Sequence, residues 1–221
     1  DQSPRRKCRP LPVEKTIDLC QITWTSMDVW AFGEGELRVI FLETERLALR
    51  NLRAEDVDVM FDYRNNEVCA RYQRGQAKER AELAALVERR SKDVIGVDAP
   101  FMLAVALKES DEMVGEIVVM PKEGTISMGY TFSYHHHRRG YAFEALTALT
   151  ALLHERHPDW DFVCFTEKEN EPSRALLKKL GYRDMSYAPR KESEVFGKWL
   201  KAETEEEILR AVAVPPERSC E

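Results

Sequence analysis

Three groups of residues carry chemical potential in this sequence. The first is His137-Arg138-Arg139-Gly140, a short basic stretch between Ile126–Phe132, which reads as a strand, and Tyr141–His154, which reads as a helix. Apolar residues at 142, 145, 146, 149, 152 and 153 give that helix one buried face. The loop therefore empties onto a helix N-terminus, where unpaired backbone N–H groups and the positive end of the dipole favour phosphate. Gly140 permits close approach of the backbone, and His137, Arg138 and Arg139 add donors and charge. An ordinary strand-to-helix turn with solvated arginines would show the same pattern.

The second group is Glu116 alone. Met113–Met120 alternates as a strand, which puts Glu116 on the face of Val114, Val118 and Met120. An acid on an apolar face is costly unless paired, protonated or used. It is either an ion-pair partner of a helix arginine or a general base whose pKa is raised by burial. The third group is Asn170 and Ser173, after the apolar strand Trp160–Thr166. Asn170 suits an N-cap, Pro172 the first helical turn, and Gly181 the helix end. His135, His136 and His137 are consecutive and cannot all face one metal, and no cysteine or carboxylate lies at ligand spacing nearby, so no metal site is expected.

These groups must be held by the surrounding elements. Leu42–Leu52 reads as a first strand, residues 54–65 as a helix with acidic residues at its start, and Ala77–Lys92 as a second helix. Pro100–Leu107 is a buried strand. The strand–helix–strand run from Ile126 to Thr166 has a crossover length that demands a parallel pair. Tyr182–Tyr187 and Glu194–Leu200 form a closing hairpin, and residues 202–214 a terminal helix. Within Ile17–Phe32, Trp24 and Trp30 suit a strand or hairpin.

His137-Arg-Arg-Gly140-Tyr-Ala142, with Asn170, Ser173, Lys179, Gly181 and Tyr182, resembles the two signature segments of the GCN5-related N-acetyltransferase (GNAT) superfamily. The Glu45-Arg46-Leu47 strand start and the helix ending near Tyr63-Arg64-Asn65 resemble its RimJ/RimL branch. The resemblance spans about residues 41–200. It implies an α/β GNAT fold: a mixed sheet of about six to seven strands, with a parallel pair splayed around the coenzyme, flanked by about four helices. It implies acetyl-CoA as acyl donor, with the pyrophosphate on His137, Arg138, Arg139, Gly140, Tyr141 and Ala142. The pantetheine arm would lie along Tyr130, Thr131, Phe132 and Ser133. Asn170 would contact the coenzyme, and Ser173 would serve both the coenzyme and the leaving thiolate. His137 departs from the Gln or Arg usual in the family, and no tyrosine occupies Ala175, Leu176 or Leu177, where many members carry an acid. Glu116 is the candidate base, with His135 or His136 as rivals. Arg64, Asn65, Arg71 and Tyr72, with the 188–194 loop, are candidates for the acceptor side, and Glu116 would also meet the amine. The acceptor implied is a protein N-terminus, or alternatively a small amine such as an aminoglycoside, polyamine or amino acid. A binding module that kept the fold and lost turnover is the reading from another class.

The domain expectation is a 1–40 extension, a catalytic domain over 41–201 and a helical extension over 202–221. Net charge is −6 over 221 residues, which gives no support to nucleic acid as a partner. Cys8, Cys20, Cys69, Cys164 and Cys220 form no Cys-x-x-Cys pair and are odd in number, as expected in a reducing compartment. No secretory leader and no membrane span is visible, so a cytoplasmic location is expected. Oligomeric state is left open.

Overall fold

The apolar runs of this chain become one mixed sheet. A computed structural model describes residues 28–31 and 37–213. Nine strands lie in the order β1-β2-β3-β4-β5-β6-β7-β9-β8. They are β1 (Asp28–Ala31), β2 (Leu37–Glu43), β3 (Leu47–Arg50), β4 (Phe101–Leu107), β5 (Met113–Lys122), β6 (Thr125–Phe132), β7 (Asp161–Thr166), β8 (Arg183–Ala188) and β9 (Ser193–Lys198). Six helices accompany them: α1 (Asp56–Asn65), α2 (Glu67–Ala70), α3 (Arg80–Arg90), α4 (Tyr141–Arg156), α5 (Glu171–Lys179) and α6 (Ala202–Ala213). The mixed α/β class with one parallel pair is the expected one, and the element count is larger. All neighbours are antiparallel except β6 and β7.

The single first strand expected over Leu42–Leu52 is a hairpin. The Thr44 N–H donates to Leu47 O at 2.8 Å and the Leu47 N–H donates to Thr44 Oγ1 at 3.0 Å, which folds residues 44–46 into a turn. Strand β2 begins upstream of the expected domain boundary at residue 41, and β1 falls in the Ile17–Phe32 stretch. Residues 1–27, 32–36 and 214–221 lie outside the described residues.

The sheet separates two cores. One face buries Leu103, Ile117, Val119, Ile126 and Phe162 against Leu146, Leu149, Leu153 and Leu177 of α4 and α5. Truncating one such leucine would cost about 2–5 kcal/mol. The other face packs Met102 and Ala104 against Met60, Tyr63, Leu83 and Val87 of α1 and α3. Helix α6 covers the β7–β9–β8 end of that face through Ile208, which meets Val163, Met185 and Val195. Expected as an add-on, it is tied to the sheet: Asp161 accepts from the Lys201 N–H at 2.7 Å and from the Thr204 hydroxyl.

A register shift between Val105 and Ala106 changes which face the start of β5 presents. Val114 consequently packs in the α4 core, whereas Val118 packs toward α1. The expected grouping of Glu116 with Val114 is corrected by this bulge. Glu116 points toward α1, where Tyr63 and Arg64 meet it.

Candidate active site

Strands β6 and β7 pair only at Thr125↔Asp161 and Ile126↔Phe162. Beyond these two rungs they diverge, and a cleft of about 920 Å³ opens between them. The β5/β6 register runs unbroken from Gly115↔Phe132 to Lys122↔Thr125, so divergence of the strands, and no bulge in β6, frees its inner edge. Three side chains mark that edge. Gln73 Nε2 donates to Tyr130 O at 3.1 Å, Cys69 Sγ to Phe132 O at 3.3 Å, and His137 Nε2 to Phe132 O at 2.9 Å. In an antiparallel strand one residue's N–H and C=O point the same way. The N–H groups of Tyr130 and Phe132 therefore also turn into the cleft.

At one end of the cleft stands the N-terminus of α4. Gly140 is its N-cap, in the left-handed region at φ +82°, and no side chain caps the first turn. A Cβ there would be strained, which is why glycine ends this loop. Glu144, in the first turn, fastens the helix to the β2–β3 turn. It accepts from Thr44 Oγ1 at 2.6 Å, from the Arg46 N–H at 2.9 Å and from Arg46 Nε at 2.7 Å. Burial pushes the Glu144 carboxyl up, but the Thr44 hydroxyl and both Arg46 donors outweigh it and hold the group below its ordinary range. Arg46 also donates to Arg139 O at 3.1 Å and lies 4.7 Å from the Tyr141 ring centroid, so one guanidinium braces the whole loop.

Of the residues expected on the coenzyme side, Tyr130, Thr131, Phe132, His137, Arg138, Ala142, Asn170 and Ser173 line the cleft. Arg139, Gly140 and Tyr141 flank it in the braced loop. Ser133 does not belong: it is buried and its N–H is committed to Val114 O at 2.9 Å. His137 folds back on the end of β6, and because a carbonyl only accepts, Nε2 must carry the hydrogen. Ser173 sits on the first turn of α5. Its N–H donates to Asn170 Oδ1 at 3.2 Å, and its hydroxyl lies 2.8 Å from the Tyr130 hydroxyl. Asn170 thus caps the helix as well as lining the cleft.

Glu116 is not placed to act as a base, and neither is Arg64 placed to meet an acceptor. Both are buried, 2.5 Å apart, and Glu116 also accepts the Tyr63 hydroxyl at 2.7 Å. Neither lines the cleft. Burial raises the Glu116 carboxyl above its ordinary range, against the opposing pull of Arg64 and Tyr63. The rival bases are also engaged elsewhere: His136 lies 3.1 Å from Glu112, and His135 3.5 Å from Asp62. Tyr72 does line the cleft, with its hydroxyl donated to Glu169 O at 2.9 Å. Asn65 bonds the Phe61 and Lys78 carbonyls, and the Arg71 guanidinium lies over the Tyr72 ring.

Several cleft residues escaped the sequence reading. Gln73, Cys69 and the Arg74–Glu167 pair (2.9 Å) lie there, and Gln76 donates to the cleft hydroxyl of Thr131 at 3.0 Å. Residues 69–76 have no periodicity, and nothing local in sequence says that their partners are on β6 and in the loop after β7. Among the described residues no group of three or more His, Cys, Asp or Glu could hold a metal, and no helix is long and apolar enough to cross a membrane.

A mixed sheet that parts between two parallel strands, with a helix N-terminus free of side-chain caps at one end of the gap, defines the class: an α/β domain with an open strand edge leading to unpaired helix N–H groups. Residues 46–183, more than half of the chain, match the family described as "Acetyltransferase (GNAT) domain", and the chain belongs to that family. It is 26% identical over 153 residues to p20 of Bacillus licheniformis, an uncharacterized N-acetyltransferase, covering 64% of this chain and 82% of p20. Solved structures share the fold. RimL, the ribosomal L7/L12 alpha-N-protein acetyltransferase, superposes with TM-score 0.64 at 15% identity, covering 77% of this chain and 99% of RimL. It has also been solved in complex with coenzyme A. The microcin C7 self-immunity acetyltransferase MccE, solved with acetyl-CoA and AMP, gives TM-score 0.57 at 12% identity, covering 70% and 93% of the two chains.

Proposed function

We propose that this chain transfers acetyl from acetyl-CoA directly to a primary amine. The observation that carries the reading is the cleft itself, running between the diverging β6 and β7 to the uncapped N-terminus of α4. A pyrophosphate at that helix end would accept from first-turn N–H groups, with Arg138 and Arg139 supplying charge. The pantetheine amides would add to the open edge of β6 as a further strand does, displacing the Gln73 and His137 contacts to its carbonyls. A β6 N–H turned into the cleft would polarise the thioester carbonyl.

In the transfer, the amine nitrogen forms a bond to the carbonyl carbon and the carbon–sulfur bond breaks, leaving its electron pair on sulfur. Ser173 stands in the cleft to donate a hydrogen bond to that thiolate. With Glu116 committed to Arg64, the ammonium proton is released to water at the cleft mouth, and the rate follows the free-amine fraction. Glu167, Glu169 and Glu192 line an adjoining hollow with Arg74, Lys168 and Tyr187, and Glu167 is paired with Arg74, which leaves Glu169 and Glu192 against one lysine. The small excess of carboxylate suits an amine acceptor, and a protein N-terminus, the acceptor type named for RimL, is the acceptor proposed.

Isothermal titration with acetyl-CoA, CoA and ATP tests the donor. Micromolar binding of the first two without ATP is expected, and no binding of either thioester or thiol would refute the reading. Thiol release with a panel of peptide N-termini, aminoglycosides, polyamines and amino acids then tests the acceptor. Turnover only on the small amines would overturn the N-terminal acceptor while leaving the transferase intact.

A further inference from the structure

We propose that Tyr130 is a positioning residue of the acyl transfer: its phenol donates to Ser173 Oγ and so turns the serine's own O–H toward the departing sulfur. This rests on the acetyltransferase reading above and adds to it a role for a strand residue. The two hydroxyls come from separate elements, β6 and α5, lie 2.8 Å apart, and both line the cleft. Between them they hold two hydrogens, and one is spent on the mutual bond. The other is left for the cleft. A phenol is the stronger donor and an aliphatic hydroxyl the better acceptor, which sets the direction from Tyr130 to Ser173.

The serine has little other freedom. Its backbone is fixed by the bond from its N–H to Asn170 Oδ1, so hydroxyl rotation is what Tyr130 controls. No other phenol reaches in from α5, where Ala175, Leu176 and Leu177 follow the serine. Burial raises the Tyr130 phenol well above its ordinary range despite the pull of Ser173, so it stays protonated and keeps its hydrogen to donate. Its titratable neighbours, Cys164 from β7 and Tyr182, are also buried and pushed up, and they stay neutral. The thiolate therefore meets a chain of two hydrogen bonds, each strengthening the other. No proton leaves the tyrosine, nothing is oxidised, and the sulfur is finally neutralised by the proton that the amine gave to water.

The test reads the sulfur itself. CoA is bound at saturation to the wild-type chain, Tyr130→Phe, Ser173→Ala and the double variant, and its thiolate absorbance is titrated against the desulfo-CoA complex of each. The bound thiol should titrate below free CoA in the wild type, about one pH unit higher in Tyr130→Phe, and no higher in the double variant than in Ser173→Ala. Steady-state assays should show kcat reduced about tenfold in Tyr130→Phe with KM for acetyl-CoA unchanged. Equal thiol titration in wild type and Tyr130→Phe overturns the inference while CoA binding still upholds the transferase. Failure of the wild type to bind CoA overturns both.

Discussion

Replacing Arg64 with Met separates the structural from the catalytic reading of Glu116. Glu116 and Arg64 are both buried, and the Tyr63 hydroxyl is the carboxylate's only other hydrogen-bond partner among the described residues. Without Arg64 the carboxyl must either stay charged in an apolar site or bind a proton. Burial already raises it above the ordinary value of 4.5, and loss of the guanidinium raises it further. The sign follows from linkage. A carboxyl whose folded pKa exceeds its unfolded one contributes fully below the unfolded value, and that contribution is lost as pH rises through the folded value. Keeping the group neutral at pH 7 costs up to about 1.4 kcal/mol per unit above 4.5, or about 3.4 kcal/mol, and at pH 5 only about 0.7 kcal/mol. Urea unfolding of wild type and Arg64→Met at pH 5 and pH 7 should therefore show a deficit that widens with pH. Arg64→Met/Glu116→Gln, which has no charge to bury, should lose the widening. A deficit equal at both pH values would refute the reasoning. Glu116→Gln alone should keep kcat/KM within a few-fold, whereas a loss of about 10²–10⁴ with unchanged stability would make Glu116 the base.

Gly140→Ala forces a side chain into the left-handed region at φ +82°, so it should cost about 1–2 kcal/mol by chemical denaturation and weaken CoA binding in the same titration. At Gly115 a Cβ would meet Thr131 O at 2.7 Å and the Phe132 ring at 2.8 Å, so Gly115→Ala should lower stability by about 1–3 kcal/mol and disturb the cleft wall. Glu144, held low by Thr44 and Arg46, gives stability present above its unfolded value and lost as pH falls through the lower folded one. CoA affinity should therefore drop as pH falls below the ordinary carboxyl value of 4.5 and through the lower folded one, and Glu144→Gln should show weakened affinity at neutral pH with that acid dependence flattened.

What could be read from the sequence was what local chemistry dictates. The α4 loop was legible because a strand, a glycine and an amphipathic helix stand next to one another, and all three are where the pattern put them. The Asn170–Ser173 cap was legible for the same reason. The β2–β3 hairpin was hidden because its turn, Glu43-Thr44-Glu45-Arg46, carries no glycine, proline or asparagine, and is closed instead by the Thr44 N–H and hydroxyl on Leu47. Alternation placed Glu116 correctly relative to Val118 but not to Val114, since Val114 is an extra residue of β5 opposite Val105 and Ala106, and strict alternation has no place for it. The brace from Arg46 to Glu144 spans 98 residues, and the contact from Gln73 to Tyr130 spans 57. Neither leaves a trace in spacing.

The same distinction explains why the donor is easier to name than the acceptor. The proposed phosphate end is built almost wholly from one contiguous segment, residues 137–144, with Arg46 as its brace, and its binding groups are largely backbone. Backbone donors survive side-chain change, so a glycine and a helix start suffice to mark them. The opposite end draws on Val68 and Cys69 of α2 with Tyr72–Arg74 just after it, Cys164–Glu167 at the end of β7, and Ser193 at the start of β9. Its polar atoms are side chains such as Gln73, Tyr72 and Glu167, held by carbonyls and charges from other segments. Changing one of them reshapes the mouth without touching the sheet or the α4 loop. Acceptor choice can therefore diverge between chains that keep the same donor site, and substitutions at Tyr72 or Glu167 should shift acceptor preference while leaving CoA affinity nearly constant.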